Sequence, residues 1–294
     1  WLAELYDATG RSVEALPHWR ELARTNPKNV AIRTRYATSL VNQGQLAEGR
    51  QALLELAGEY PRDVSLWYLV SQVENRAGNA DGAEQAARRI QDIDSSDPRG
   101  PLALAEARTA RGDHRGAVDT LTPLLDALRD SPPESGAYAR VAVELAAALE
   151  ADEQRDRAIR VLEDARTRDE RSVEVASALA AAYLRAKRLD AAERAYRALL
   201  GGDPDNPEWL GGLGWTYVQQ GQAGLAREPL ERAVAARPTD LTLADHLADA
   251  LFQLKQYREA AALWDRVLAG TSAGLDVKAI TEKRDRARQL AGRQ

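Results

Sequence analysis

The residues that could carry out chemistry in this chain are few, and their spacing fits no familiar catalytic or metal site. The three histidines, His18, His114 and His246, are scattered and form no metal-binding pair on one helix. The absence of cysteine excludes disulfides, thiolate metal ligands and cysteine nucleophiles. The sequence has neither a glycine-rich phosphate loop nor a GxSxG nucleophile motif. We therefore expect a protein that is not an enzyme and that uses no cofactor.

One acidic segment, DIDSSDPRG at residues 92–100, has part of the ligand spacing of a calcium-binding loop. It lacks the central glycine and the final bidentate glutamate that such a loop requires. Carboxylate pairs are frequent elsewhere, but a helical chain with 29% charged residues produces them by chance on its solvated faces. The segment is more typical of a junction between helices, and no metal site is expected.

The composition indicates helices and a protein partner. Alanine, leucine, arginine and glutamate are abundant helix formers, and only 5% of residues are aromatic. The 45 acidic and 40 basic residues give a net charge of −5, whereas nucleic-acid surfaces usually carry a positive excess. No apolar run reaches the length of about 18 residues that a membrane span needs. We expect a protein or peptide partner, no nucleic acid and no membrane span, and the oligomeric state is left open.

A repeat runs along almost the whole chain. A small residue recurs at steps of 34 residues, except for one step of 41 between Ala117 and Ala158. If this residue is numbered position 20, its instances are Ala15, Gly49, Ala83, Ala117, Ala158, Ala192, Ala226 and Ala260. Position 8 is also small in every repeat, and position 15 is glycine except at Glu153, Lys187 and Lys255. Proline stands at position 32 in four repeats, as Pro27, Pro61, Pro204 and Pro238.

Each repeat is predicted to form two packed helices, A and B. Positions 4, 7, 8 and 11 lie on one face of helix A, and positions 20, 24 and 27 lie on one face of helix B. Small residues at positions 8 and 20 allow the two helices to approach closely. Glycine at position 15 can end helix A in a left-handed conformation, and proline at position 32 stops helix B. Each pair leaves an apolar face that only the next pair can cover, which predicts a solenoid.

The pattern resembles the tetratricopeptide repeat, W-x2-L-G-x2-Y…A-x3-F…P, over roughly residues 1–274. The match is divergent, because tryptophan occurs at position 4 only as Trp67 and phenylalanine at position 24 is always replaced. The resemblance implies an all-α, right-handed α-solenoid of about eight helix–turn–helix units with a C-terminal capping helix. It also implies a non-catalytic protein–protein interaction scaffold.

The register divides the chain into four segments. Repeats one (truncated) to four occupy residues 1–131, an insertion loop 132–138, repeats five to eight 139–274, and a capping helix 275–294. Trp1 falls at position 6, so we expect further repeats before it. The seven extra residues around DSPPESG predict a surface insertion, a hinge or a contact loop.

Some residues depart from the repeat pattern inside the predicted helices. Pro17, Pro123 and Pro229 fall within B helices and should bend them. Glu74 and Arg108 occupy position 11, which is normally apolar. We expect them to form a buried or half-buried ion pair between repeats three and four; the alternative is a charged anchor for a ligand.

The resemblance implies that positions 2, 5, 9, 12 and 13 of helix A line the concave face, where two candidate partner-binding patches lie. The first patch is polar and consists of Thr38, Asn42, Tyr68, Gln72, Asn75 and Arg76. It could hold the backbone and a carboxylate of an extended peptide, with Arg76 as the charged anchor. The residues at positions 5 and 9 do not match the carboxylate clamp of chaperone-binding members of the family.

The second patch is aromatic with an acidic rim and consists of Trp215, Gln219, Asp245, Asp249 and Phe252. Such a surface suits a basic or apolar segment. Alternatively, Trp215 and Phe252 pack against a neighbouring helix or the chain's own C-terminus, since aromatic residues at helical spacing are often part of a core.

The Arg- and Ala-rich repeats resemble those of bacterial envelope proteins, including exopolysaccharide-secretion scaffolds and outer-membrane lipoproteins. The resemblance favours a periplasmic, envelope-associated location over the cytoplasm. Three functions fit the sequence: a scaffold that binds a partner segment in the concave groove, a structural spacer or self-assembling array, or the regulatory part of a longer enzyme.

Overall fold

The computed structural model describes residues 2–132, 136–270 and 275–293, and throughout these ranges the regular secondary structure is α-helical. The helices are α1 Leu2–Ala8, α2 Ser12–Thr25, α3 Val30–Asn42, α4 Leu46–Glu59, α5 Val64–Arg76, α6 Ala80–Ile93, α7 Arg99–Ala110, α8 His114–Ala127, α9 Ala137–Ala151, α10 Arg155–Arg168, α11 Val173–Arg185, α12 Leu189–Gly202, α13 Pro207–Gln219, α14 Ala223–Ala236, α15 Leu241–Gln253, α16 Tyr257–Ala269 and α17 Val277–Ala291. The all-α prediction is confirmed. Pro17, Pro123 and Pro229 lie inside α2, α8 and α14, as the register predicts.

Residue contacts divide the chain into an N-terminal unit, Trp1–Gln154, and a C-terminal unit, Arg155–Gln294. Helices α1 to α9 belong to the first unit and α10 to α17 to the second. Within each unit, most contacts join helices that follow one another in the chain. Residues 133–135 of the predicted insertion loop and residues 271–274 at the end of repeat eight lie outside the described residues. The division of the chain into four segments stays a prediction.

The small residues at positions 8 and 20 bring helices A and B into close contact. In repeat two, a Cβ added to Gly49 would lie 2.5 Å from Val41 Cγ2 and 2.9 Å from the carbonyl oxygen of Ala37. In repeat seven, a Cβ on Gly214 would lie 2.5 Å from Leu230 Cγ. A methyl group cannot enter either space without displacing its neighbours. The predicted close approach is therefore confirmed.

Position 15 is left-handed in all eight repeats. The glycines there, Gly10, Gly44, Gly78, Gly112 and Gly221, have φ between 72° and 84°. The three residues that replace glycine, Glu153, Lys187 and Lys255, adopt φ of 62°, 59° and 63°. In repeat three, the N–H of Asn79 donates to the carbonyl of Glu74 at 2.8 Å, the hydrogen bond that closes a helix after a left-handed residue. The turn geometry thus persists where the glycine does not.

Side chains two residues after the position-32 prolines cap the following A helices, a feature that the sequence analysis missed. Asn29 Oδ1 accepts a hydrogen bond from Ile32 N at 3.1 Å, and Asp63 Oδ1 accepts one from Ser65 N at 2.9 Å. Asn206 and Asp240 cap α13 and α15 in the same way. The Pro-x-Asn/Asp spacing was the available signal, because Asn and Asp are among the strongest N-cap residues.

The predicted ion pair between Glu74 and Arg108 is wrong. Glu74 is 2% exposed and accepts a 2.9 Å hydrogen bond from Arg50 Nε, while its second oxygen accepts one from Asn79 Nδ2 at 2.7 Å. Arg108 instead donates to the carbonyl of Gly116 at 2.9 Å and to Thr120 Oγ1 at 2.5 Å. Position 11 lies on the face of helix A that packs against B helices. Each charge therefore finds its partner on a B helix or at its cap, and not on the next A helix.

Gly78→Ala should destabilise the protein, and Gly58→Ala should stabilise it. A Cβ at either site meets nothing within 4 Å, so each substitution changes only backbone preferences. The left-handed φ of +74° at Gly78 costs an alanine about 1–2 kcal/mol. Gly58 lies inside α4, where alanine is favoured by about 0.5–1 kcal/mol. Urea unfolding measures both, and shifts of the same sign would contradict the left-handed assignment.

Glu74 should couple energetically to Arg50 and not to Arg108. A double-mutant cycle with Glu74→Gln and Arg50→Met should give a coupling free energy of about 0.5–3 kcal/mol, because the half-exposed Arg50 donates a hydrogen bond to the buried Glu74 carboxylate. The matched cycle with Arg108→Met is the control and should be additive within about 0.5 kcal/mol. The structure would be contradicted if the Arg108 cycle gave the larger coupling in thermal or urea unfolding.

Candidate partner-binding surfaces on the A helices

The first patch lies on α3 and α5 of the N-terminal unit. Thr38 is half-buried, and its hydroxyl donates to carbonyls of its own helix at 3.0 Å. Asn42, Gln72 and Arg76 are exposed. Arg76 makes no ion pair with any other residue that the structure describes. Its guanidinium thus keeps its donors available to a partner.

Tyr68 joins the A helices of three repeats. Its hydroxyl accepts a 2.5 Å hydrogen bond from Arg140 Nη2 and donates to Glu106 Oε1 at 3.4 Å. The Arg140 guanidinium also lies 5.8 Å from the centroid of the Tyr68 ring. Because Glu106 belongs to α7 and Arg140 to α9, the patch continues beyond the six predicted residues. The sequence analysis did not assign these two, although they occupy helix A positions 9 and 2.

A cavity of about 350 Å³ adjoins Tyr68, and we call it the Glu106 pocket. It is lined by Asn75, Leu102, Ala105, Glu106, Thr109, Ala110, Leu121 and Glu144. Burial, and next the charge of Glu144, raises the pKa of Glu106, while Arg140 opposes the rise. Asn75 Oδ1 is buried and has no hydrogen-bond partner among the described residues. The pocket thus brings one residue of the first patch, Asn75, together with two carboxylates that were not assigned to it.

The second patch lies on α13 and α15 of the C-terminal unit. The Trp215 ring is half-buried and stacks on His246 at a centroid distance of 3.9 Å and an interplanar angle of 9°. Gln219 Oε1 accepts a 2.6 Å hydrogen bond from Lys187 Nζ. Phe252 packs edge-on against Tyr257 at 5.2 Å. Intramolecular contacts therefore engage both aromatic side chains of the patch.

Helix α17 supplies a basic side chain to the acidic rim of the second patch. Lys283 Nζ donates to Asp249 Oδ2 at 2.7 Å and to Asp245 Oδ1 at 3.3 Å. Asp245 Oδ1 also accepts a 2.7 Å hydrogen bond from Trp264 Nε1. The Arg286 guanidinium lies 5.8 Å from the Phe252 ring centroid. The sequence analysis expected an amphipathic capping helix here but did not pair it with these two aspartates.

Lys283 faces two carboxylates, and burial together with this pairing shifts the pKa values of Lys283 and Asp249. Burial by itself would lower the pKa of Lys283, but its hydrogen bond to Asp249 and the charges of both aspartates raise it. Burial raises the pKa of Asp249, the pairing with Lys283 opposes this, and the like charge of Asp245 adds to the rise. The second patch thus carries its own counter-ion.

The pKa of His246 is lowered to about 4, mainly by burial. The charge of Asp245 opposes this shift, and the charge of Lys283 adds to it. Its Nδ1 is buried and has no hydrogen-bond partner among the described residues. The imidazole is therefore neutral near pH 7 and acts as a flat packing surface for Trp215.

Family models of the tetratricopeptide repeat match three segments of the chain, residues 34–98, 149–213 and 183–245, which together span more than half of it. The chain belongs to the tetratricopeptide repeat family. This fold generally serves as a non-catalytic protein-binding scaffold. A search of curated protein sequences finds no match.

Several solved structures share the fold at low sequence identity. A repeat protein from Parabacteroides merdae ATCC 43184 is 14% identical with a TM-score of 0.64, and the match covers 88% of this chain and 98% of that one. Yeast Tom70 is 14% identical with a TM-score of 0.70, covering 97% and 61%. A chain of the APC/C heterotetramer Cut9–Hcn1 is 14% identical with a TM-score of 0.65, covering 94% and 52%. This chain thus spans only part of the latter two, and the likeness establishes the α-solenoid fold alone.

Two other kinds of site are absent from the described residues. No described helix is both long and apolar enough to cross a membrane. Among the same residues, no group of three or more His, Cys, Asp or Glu side chains is arranged to hold a metal ion.

Acidification should destabilise the protein through His246. The unfolded chain binds a proton at this residue below its ordinary pKa of 6.5, whereas the folded protein binds it only below a pKa of about 4. The contribution to stability is therefore complete above pH 6.5 and is lost as the pH falls towards 4, by on the order of 3 kcal/mol. His246→Phe keeps a flat ring against Trp215 and cannot titrate. The difference in unfolding free energy between the two proteins should follow this pH course; a difference that is constant from pH 7 to pH 4 would contradict it.

Proposed function

We propose that this protein is a non-catalytic scaffold that holds an extended segment of a protein partner against the A helices of its N-terminal unit. The observation that carries the proposal is the link from Tyr68 to Glu106 and Arg140, which makes one polar surface from three successive repeats. Extended peptides are commonly held by rows of side-chain donors and acceptors of this kind.

The state of the charged groups supports the first patch over the second as the binding surface. Arg76 is exposed and makes no ion pair with another described residue, so it can bind a carboxylate without breaking an existing ion pair. Asp245 and Asp249 already face Lys283, so a basic partner at the second patch would have to displace that lysine. The net charge of −5 supports a protein or peptide partner rather than a nucleic acid.

We also propose a place in a bacterial envelope or exopolysaccharide-secretion assembly. The support is the resemblance of the Arg- and Ala-rich repeats to bacterial members of the family. Fractionation of source cells that carry a tagged chain tests it, and recovery in the cytoplasm alone would contradict it.

Binding should depend on Tyr68 and Arg76. Peptides of 12 residues selected from a random library against the intact chain should bind a Tyr68→Ala/Arg76→Glu variant at least about tenfold more weakly. This estimate corresponds to the loss of one charge-assisted hydrogen bond of about 1.5 kcal/mol. Fluorescence anisotropy measures the affinity of each peptide.

The matched control is Arg89→Glu, which makes the same change of charge on α6, a B helix, at an exposed position. This variant should keep parental affinity. Equal losses in the control and the test variant would point to net charge instead of the patch. Failure to select any peptide would favour a structural spacer.

A further inference from the structure

We infer that the Glu106 pocket receives a lysine or arginine side chain of the partner segment. The inference rests on the proposed function and names the chemistry of one anchor. The Glu106 pocket has a volume of about 350 Å³ and lies between the A helices α5, α7 and α9, with Leu121 of α8 lining one side. All of the lining residues belong to the N-terminal unit.

The polar groups of the pocket are mainly hydrogen-bond acceptors. Glu106 and Glu144 contribute carboxylates from adjacent repeats, and the buried Asn75 Oδ1 has no partner among the described residues. A buried acceptor without a donor costs about 1–3 kcal/mol, so a donor brought within reach of Asn75 Oδ1 would be favourable. Ammonium and guanidinium groups have only donors, whereas a carboxylate would bring more acceptors.

The charges near the pocket favour a cation. Burial, and next the charge of Glu144, raises the pKa of Glu106, while Arg140 and the hydrogen bond from Tyr68 oppose the rise. Arg140 is the nearby cation, but its guanidinium is directed to the hydroxyl and the ring of Tyr68. A second positive group next to Glu106 would favour the charged form of this carboxylate.

The apolar part of the pocket suits the stem of a long basic side chain. Leu102, Ala105 and Leu121 are each at most 4% exposed and form an apolar wall beside the carboxylates of Glu106 and Glu144. Lysine and arginine bury their methylene groups along apolar surface while the charged head reaches polar groups. A purely apolar side chain would leave Asn75 Oδ1 without a donor.

The test uses the intact chain and a peptide from the library selection that contains one lysine or arginine. The comparison peptide has norleucine at that position, which keeps an aliphatic stem and removes the charge. We expect the basic peptide to bind the parent about tenfold more tightly than the norleucine peptide, and Glu106→Gln to reduce this ratio to below about threefold. Glutamine keeps an acceptor for the Tyr68 hydroxyl, so the variant should stay folded, as thermal unfolding verifies.

Glu48→Gln is the matched control, because it removes one exposed carboxylate from α4, outside the pocket. It should leave the tenfold ratio unchanged. The inference would be overturned if the basic and norleucine peptides bound with equal affinity, or if Glu106→Gln left the ratio of their affinities unchanged. In either case, binding that still depends on Tyr68 and Arg76 would uphold the proposed function. Loss of that dependence itself would overturn both.

Discussion

The close contact between position 8 of helix A and position 20 of helix B is the constraint on which the rest of this structure depends. Where the residues are glycine, as at Gly49 and Gly214, an added methyl group would collide with the facing helix or its side chains. This contact fixes the distance within each pair of helices. The larger side chains at position 24, such as Trp19, Leu53 and Trp264, can then be buried at 4% exposure or less. A larger residue at either small position would separate the helices and expose that layer to water.

A second constraint is the left-handed residue that reverses the chain after helix A. It is tolerant of residue type, because Glu153, Lys187 and Lys255 adopt the conformation that glycine adopts elsewhere. Tertiary contacts on both sides of the turn compensate the conformational cost, on the order of 1 kcal/mol at each site. The repeat geometry is therefore maintained by packing as much as by local preference, and a repeat remains recognisable after its glycine is replaced.

Carboxylates at equivalent positions of helix A have different hydrogen-bond partners in the two units. In the C-terminal unit, Lys283 of α17 faces Asp245 and Asp249. In the N-terminal unit, Glu106 accepts a hydrogen bond from the neutral Tyr68 hydroxyl, and the Arg140 guanidinium donates to Tyr68 instead. A regular fold can thus give one pair of carboxylates a hydrogen-bonded lysine and give another carboxylate a neutral donor. That difference comes from individual side chains, since the backbone contacts repeat from one pair of helices to the next.

The sequence by itself determined the repeat length, the helix pairs, the small residues at their contact and the left-handed turns at the five glycines. These features follow from backbone geometry and steric size, which recur with a fixed period and can be read from residue types alone. Only the tertiary structure decided which polar groups meet: Glu74 with Arg50 rather than Arg108, Trp215 with His246, and Tyr68 with both Glu106 and Arg140. Such pairings depend on side-chain rotamers and on shifts of about an ångström between helices, because a hydrogen bond requires both a short donor–acceptor distance and a favourable angle. A periodic pattern places a residue on a face, and the packed neighbours select its partner.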